Sequence, residues 1–205
     1  MNEQLYNVSA NPHVRDKAST HSIMLDVIIA LLPATLFGFW NFGVKAIINT
    51  VICILTCVIS EYAWQHFMHK KVTINDLSAA LTGLLLAMNL PPEVPFWIPV
   101  IGGVFAIIVV KQLYGGIGKN VVNPAITARI VLFISFATQM TTWPLPRMAA
   151  DATSTATPLG ILAEGGAELP SNMQMFLGFI GGSMGEVSAL ALLIGGLFLI
   201  WKKII

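Results

Sequence analysis

Apolar residues gather into six blocks with short polar connectors between them: residues 23–42, 44–64, 77–90, 96–113, 124–143 and 175–201. A helix needs roughly 20 apolar residues to cross a bilayer, and most of these blocks approach or reach that length. The third does not. It closes on Asn89-Leu90-Pro91-Pro92, and a half-length segment enters a membrane only where other helices cover its free backbone ends. The sixth contains Gly178, Gly181, Gly182 and Gly185, which predicts a broken helix with residues 176–182 as its first leg. The expected fold class is therefore all-α: a polytopic membrane helix bundle of about six segments, some short or broken, around an internal cavity. The chain divides into an N-terminal segment (1–22), five membrane segments (23–143), a connecting loop (144–174) and a sixth membrane segment (175–205).

Composition agrees with that pattern. Hydrophobic residues make up 56% of the chain and charged residues only 10%, with a mean hydropathy of +0.77, whereas a soluble domain is roughly a quarter charged. A net charge of +1 supplies no field to recruit nucleic acid. Cys53 and Cys57 lie four apart on one helix face, where a pair without further ligands makes a poor metal site and reads as small buried residues. The polar start of the chain, residues 1–22, has no short apolar core before a cleavage site, so a cleaved signal peptide is not expected. Charge in the loops predicts orientation: Arg15, Lys17, Lys70, Lys71, Lys119, Lys202 and Lys203 share the side of the N-terminus, with Lys111 nearby, against Lys45 and Arg147 opposite. The N-terminus is then cytoplasmic and the 144–174 loop lies on the outer face.

Asp26, Glu61, Lys111, Arg129 and Glu186 fall inside the apolar blocks. Each costs a few kcal/mol at a helix centre, so such groups usually face a cavity, a partner or a cofactor. Asp26 and Lys111 lie near helix ends and are expected to snorkel, Arg129 and Glu186 sit deeper as candidates for a functional or interhelical contact, and Glu61 is intermediate. Between the fourth and fifth blocks, Gly115, Gly116 and Gly118 predict a sharp turn, Asn123 a helix cap and Pro124 a first helical position. A phosphate-loop reading of this stretch fails, because Gly118-Lys119 is followed by Asn120 instead of Ser or Thr. Asn-Pro-Ala at 123–125 resembles the turn of water channels, which carry two copies.

One polar stretch stands apart, Asp151-Ala152-Thr153-Ser154-Thr155-Ala156-Thr157-Pro158-Leu159-Gly160. It offers four hydroxyls without bulk, and Pro158 keeps Thr157 out of any helix that follows, so the backbone is expected to be extended or turned. A lone Thr hydroxyl needs outside activation, which makes this a place to be modified more than one that catalyses. Taken alone, such a loop also fits a plain solvated connector.

Several stretches occur in the order seen in one family. They are Asn11-Pro12-His13-Val14-Arg15, Asp26 with Leu31-Leu32-Pro33, Leu81-Thr82-Gly83-Leu84-Leu85-Leu86, Gly115-Gly116-Ile117-Gly118-Lys119-Asn120 with Asn123-Pro124-Ala125, and Asp151 to Leu159. Over nearly its whole length the chain resembles the D subunit of the Rnf electron transport complex, a close relative of the B subunit of the sodium-translocating NADH:quinone reductase. That resemblance implies a subunit of an ion-translocating ferredoxin:NAD oxidoreductase in the bacterial inner membrane, an electron carrier coupled to Na+ or H+ transport and not an enzyme on its own. It also implies FMN joined through its phosphate to Thr157 by a flavin transferase, with Asp151, Ser154 and Ala156 matching the recognition pattern and Thr155 at a place more often held by Gly or Ser. Arg147 is a candidate to balance the flavin phosphate, its alternative being an interfacial anchor beside Trp143. A second, non-covalent flavin (riboflavin) is associated with the group, without assigned residues here. Implied partners are the flavin, iron–sulfur and small membrane subunits of the complex, the transferase and the lipid bilayer. Family members are usually longer, with two related halves, so residues 175–205 would open a second half. Two other readings fit the residues: a small-solute channel or transporter of the urea or ammonium kind, and a cofactor-free scaffold subunit.

Overall fold

The computed structural model describes residues 19–144, 157–163 and 169–205. Ser19 accepts the backbone N–H of Ser22 on its hydroxyl while the Ser22 side chain accepts the Ser19 N–H, a capping box that starts α1 (Thr20–Phe42). Gly43, at φ 76°, turns the chain directly into α2 (Val44–Phe67). Both helices are long and apolar enough to cross a membrane. A 3-10 turn (Ile74–Asp76) leads to α3 (Ser78–Asn89). Helix α4 (Trp97–Val104) then runs without interruption into a π-helical stretch, Phe105–Gln112. The remaining elements are α5 (Pro124–Ser135), α6 (Ala137–Met140), α7 (Pro158–Ala163), α8 (Asn172–Leu177) and α9 (Ala189–Trp201). Among the described residues there is no strand, and the chain is a helical membrane bundle with short and broken segments.

Its packing is inverted relative to a soluble protein. α1 buries Ala30, Ala34, Thr35, Gly38 and Asn41 while Leu36 is 60% exposed, and α2 buries Asn49, Thr50, Ser60, Glu61 and Gln65 while Ile59 is 61% exposed. A helix in water turns its large apolar residues inward. Hydrocarbon removes that drive, so small and polar residues occupy the helix interfaces, where they permit close approach and interhelical hydrogen bonds. Asn49 accordingly donates to the carbonyls of Pro92 and Val94 at 2.9 and 3.1 Å, holding the turn between α3 and α4 against α2. On the other side of the bundle α9 crosses α1 at Gly195, where an added Cβ would strike the backbone carbonyl of Ala30; its neighbour Gly196 has open space.

Two expected segments are shorter than their apolar runs. The fifth ends as a helix at Ser135, where Phe136 leaves helical geometry and packs edge-on against Trp97 with ring centroids 4.8 Å apart. In the sixth, residues 176–182 do not form a helical leg. α8 stops at Leu177 because Gly178 adopts φ 105°, and residues 178–188 continue as irregular backbone until Ser188 caps α9. A Cβ at Gly178 would lie 2.8 Å from both the Phe37 ring and the Val187 carbonyl, so the turn there excludes other residues sterically as well as conformationally. The irregular stretch is held inside the bundle. Gly185 N–H donates to Met88 O at 2.9 Å and Met184 N–H to Leu90 O at 3.5 Å, which covers the C-terminal end of the half-length α3. Asn41 donates to Gly178 O at 3.3 Å from α1.

Lys111 corrects the expectation that it snorkels. Its side chain is 3% exposed and lies 2.6 Å from the carboxylate of Glu61, itself 1% exposed. Lys111 Nζ also donates to Ser78 Oγ at 2.6 Å, and Glu61 Oε1 accepts from Gln112 at 2.9 Å and Gln65 at 3.1 Å. The π geometry accounts for the convergence. Leu113 N–H reaches back to Ile108 O and Gly116 N–H to Lys111 O, so each turn holds more residues and neighbouring side chains diverge less. Lys111 and Gln112 therefore both face α2. Asp26, in contrast, meets Lys202 at 3.3 Å in a partly exposed pair. The turn after the π stretch is as expected: Gly115, Gly116 and Gly118 have positive φ, and Asn123 caps α5 by accepting the N–H groups of Ala125 and Ile126.

Two outcomes follow for stability, read as thermal unfolding of the purified chain in detergent. Lys111→Met strands a buried carboxylate and is expected to cost about 3–5 kcal/mol, much of which Glu61→Gln in the same chain restores; equal losses in the single and double variants would contradict the pairing. Gly195→Ala forces α1 and α9 apart and destabilises, whereas Gly196→Ala stabilises by up to about 1 kcal/mol through helix propensity. Similar effects at the two adjacent positions would contradict the crossing.

Candidate functional site

Helix α5 carries the first wall of the site. Asn123 and Pro124 fix its start, Arg129 lies midway along it, and Phe133 lies one turn further on, about 6 Å along the axis at 1.5 Å per residue. The chain then passes through α6 to Thr141 and Trp143. The irregular 178–188 segment supplies the facing wall with Ile180, Gly181, Gly182 and Glu186.

Thr157 also borders this space. It is half-buried and stands immediately before α7, which Pro158 begins at the position where a missing N–H costs nothing. Thr157 Oγ1 accepts the Gly160 N–H at 3.1 Å and Thr157 O accepts the Ile161 N–H at 2.9 Å. The residue thus caps a short helix that the sequence did not announce, and stays outside it as Pro158 implied. Its hydroxyl oxygen is oriented by the Gly160 bond.

Thr157, Trp143, Phe133, Met175, Glu186 and Arg129 are among the residues around a cavity of about 460 Å³. A second space of about 340 Å³ lies beside it, bounded by Leu31, Leu85, Asn89, Ser183 and again Arg129 and Glu186. Arg129 and Glu186 thus line both spaces, while Thr157 and Trp143 line only the first; Arg129 is half-buried and Glu186 exposed. Arg129 donates to Asn89 Oδ1 at 3.4 Å, and Glu186 accepts from Ser183 Oγ at 2.9 Å. Among the described residues, Arg129 and Glu186 form no ion pair with each other. Each charge therefore retains capacity for another group.

The cavity has the size of a cofactor pocket, roughly 300–1,000 Å³. Indole, phenyl and thioether walls suit a flat heteroaromatic ring, a guanidinium suits an anion, and a hydroxyl among the lining residues provides a point of attachment. FMN fits these groups. No cluster of three or more His, Cys, Asp or Glu side chains that would hold a metal occurs among the described residues, and Cys53 and Cys57 are both buried in α2.

Of the residues singled out in the sequence, Thr157, Arg129 and Glu186 come together on this cavity. Asp151, Ser154, Ala156 and Arg147 lie outside the described residues. Among the described residues, the cation on the same cavity as Thr157 is Arg129. Sequence reasoning missed Asn89 and Ser183, which line the adjacent space. Their signals were present: Asn89 ends the half-length α3 before Pro91-Pro92, and Ser183 lies inside the glycine-rich interruption.

The sequence of this chain has counterparts among known proteins. The chain is 48% identical over 208 residues to the D subunit of the Na(+)-translocating ferredoxin:NAD(+) oxidoreductase complex of Acetobacterium woodii, covering 100% of this chain and 65% of the relative. It is 42% identical over 213 residues to the D subunit of the proton-translocating ferredoxin:NAD(+) oxidoreductase complex of Clostridium ljungdahlii, covering 99% and 64%. The D subunit of the ion-translocating oxidoreductase complex of Rhodobacter capsulatus is 36% identical over 227 residues, covering 96% and 63%. The chain therefore spans a little under two thirds of the length of these relatives. The profile of the NQR2, RnfD, RnfE family matches residues 7–205, and with almost every position accounted for in this way, the chain belongs to that family.

Proposed function

We propose that this chain is an electron-carrying membrane subunit of an ion-translocating ferredoxin:NAD oxidoreductase, holding FMN in phosphoester linkage to Thr157. The observation that carries the reading is that Thr157 lines a cavity of about 460 Å³ together with Trp143, Phe133, Met175 and Arg129. The names of the relatives support the complex to which it would contribute.

Attachment is chemically balanced. A transferase base takes the Thr157 hydroxyl proton, Oγ1 attacks the FMN-side phosphorus of FAD, a new P–O bond forms, and the P–O–P bridge breaks with departure of AMP on the transferase metal. The Gly160 N–H bonded to Oγ1 orients that oxygen without engaging its hydrogen. Once bound, the isoalloxazine ring supplies one- and two-electron chemistry. The chain's residues contribute the rest: aromatic and thioether walls exclude water from the ring, and Arg129 and Glu186 set the charge beside it. Electrons would pass among flavin and iron–sulfur subunits of the complex. The working protein would lie in the bacterial inner membrane with the N-terminus cytoplasmic and Thr157 on the outer face. Moving one charge against the membrane potential takes about 2.3 kcal/mol per 100 mV, so that electron flow would have to be coupled to a gated Na+ or H+ step.

Coexpression with a flavin transferase, followed by denaturing electrophoresis, tests the attachment. A fluorescent flavin band that survives SDS is expected for the parent chain and for Thr157→Ser, and is expected to vanish in Thr157→Val. The valine variant loses only a cap worth about 1 kcal/mol, so the bundle should persist. A band that persists in Thr157→Val would move the attachment elsewhere, and no band in any variant would remove the flavin reading.

A further inference from the structure

Arg129, half-buried, and Glu186, exposed, border both spaces. Neither is consumed by the fold. Among the described residues, Arg129 makes one long side-chain bond, 3.4 Å to the neutral Asn89, and Glu186 one to the neutral Ser183, and the two do not pair. A bundle that needed these charges only for cohesion would bring them together, as it does Lys111 and Glu61 at 2.6 Å. Two opposite charges held apart on one cavity are an arrangement for acting on what lies between or beside them.

We infer that Arg129 and Glu186 form an electrostatic couple that tunes, with opposite sign, the electron affinity of a heteroaromatic redox ring tethered at Thr157. This rests on the flavin reading above and adds the roles of two residues to it. The direction of the tether decides which part of the ligand they meet. A phosphate esterified to Thr157 stays beside that residue, which borders only the larger space. The rest of the ligand would occupy the remainder of that space, which Phe133, Arg129 and Glu186 also line, and in this reading the two charges meet the ring.

The electrostatics follow from charge balance. An oxidised neutral ring that takes up two electrons and one proton, delivered by a neighbouring carrier in the complex or by dithionite in a titration, gains one negative charge. In an apolar cavity that charge is poorly screened. Arg129 stabilises it and raises the midpoint potential, while Glu186 repels it and lowers the potential. Both are positioning residues that act through the field they impose.

The test is a dithionite titration of the covalent flavin, followed by absorbance, on the full-length subunit in membranes with its complex and transferase coexpressed. Arg129→Gln is expected to shift the potential negative and Glu186→Gln to shift it positive. Arg129→Lys should remain near the parent, and the double variant between the two single ones. The SDS-stable flavin band is read on the same samples. Equal bands with unchanged potentials, or shifts of the same sign in Arg129→Gln and Glu186→Gln, would overturn the couple while leaving the attachment standing. Loss of the band in Arg129→Gln alone would also overturn it, by assigning Arg129 to attachment. A parent chain without the band would overturn the flavin reading first. General loosening of the bundle does not produce shifts of opposite sign.

Discussion

Inside hydrocarbon a backbone N–H or C=O has no water to turn to, and everything unusual in this bundle follows from how two interrupted segments meet that requirement. α3 is too short to span, and its last carbonyls would stand open in the middle of the bundle. Residues 178–188 are irregular, and their N–H groups would stand open there too. The bonds from Gly185 to Met88 and from Met184 to Leu90 satisfy one set with the other. Met184 is fully enclosed, with Thr50 from α2 donating to its sulfur at 3.6 Å. Each broken piece is therefore a condition for the other, and the smaller of the two spaces lies between them.

Charge is handled in two contrasting ways within the same bundle. Glu61 and Lys111 are driven together, and the amides of Gln65 and Gln112 and the hydroxyl of Ser78 occupy the hydrogen-bonding positions that remain around them. Such a pair is costly to bury and costly to break, and its main effect is to specify how α2, α3 and the π stretch register. Among the described residues, Arg129 and Glu186 receive only neutral partners. The first arrangement closes a volume, and the second leaves one open. That difference separates the charges that build the bundle from those that border its open spaces.

Much of this was legible in the chain. Block lengths identified the bundle, the short α3 and the broken last segment, and Asn123-Pro124 announced the start of α5. Each of these reports a local quantity: the transfer free energy of a run of side chains, or the φ and N–H requirements of one residue. Thr157 stood out because Pro158 and its small hydroxylated neighbours limit the local backbone. The expectation for Lys111 failed for an equally physical reason. Distance from a helix end says whether a lysine can reach water, but not whether a carboxylate on another helix lies closer.

The sequence by itself determined that the chain is an interrupted helical membrane bundle in which Thr157 stays outside the helix that Pro158 begins, since hydropathy and backbone preference act residue by residue. Only the tertiary structure decided that Lys111 faces Glu61, and that Arg129 and Glu186 border the cavity that Thr157 also lines. Those contacts depend on which face each helix turns inward. The crossing of α1 and α9 at Gly195, the widened π turn and the docking of residues 178–188 fix those faces, and each of these is a property of several segments at once.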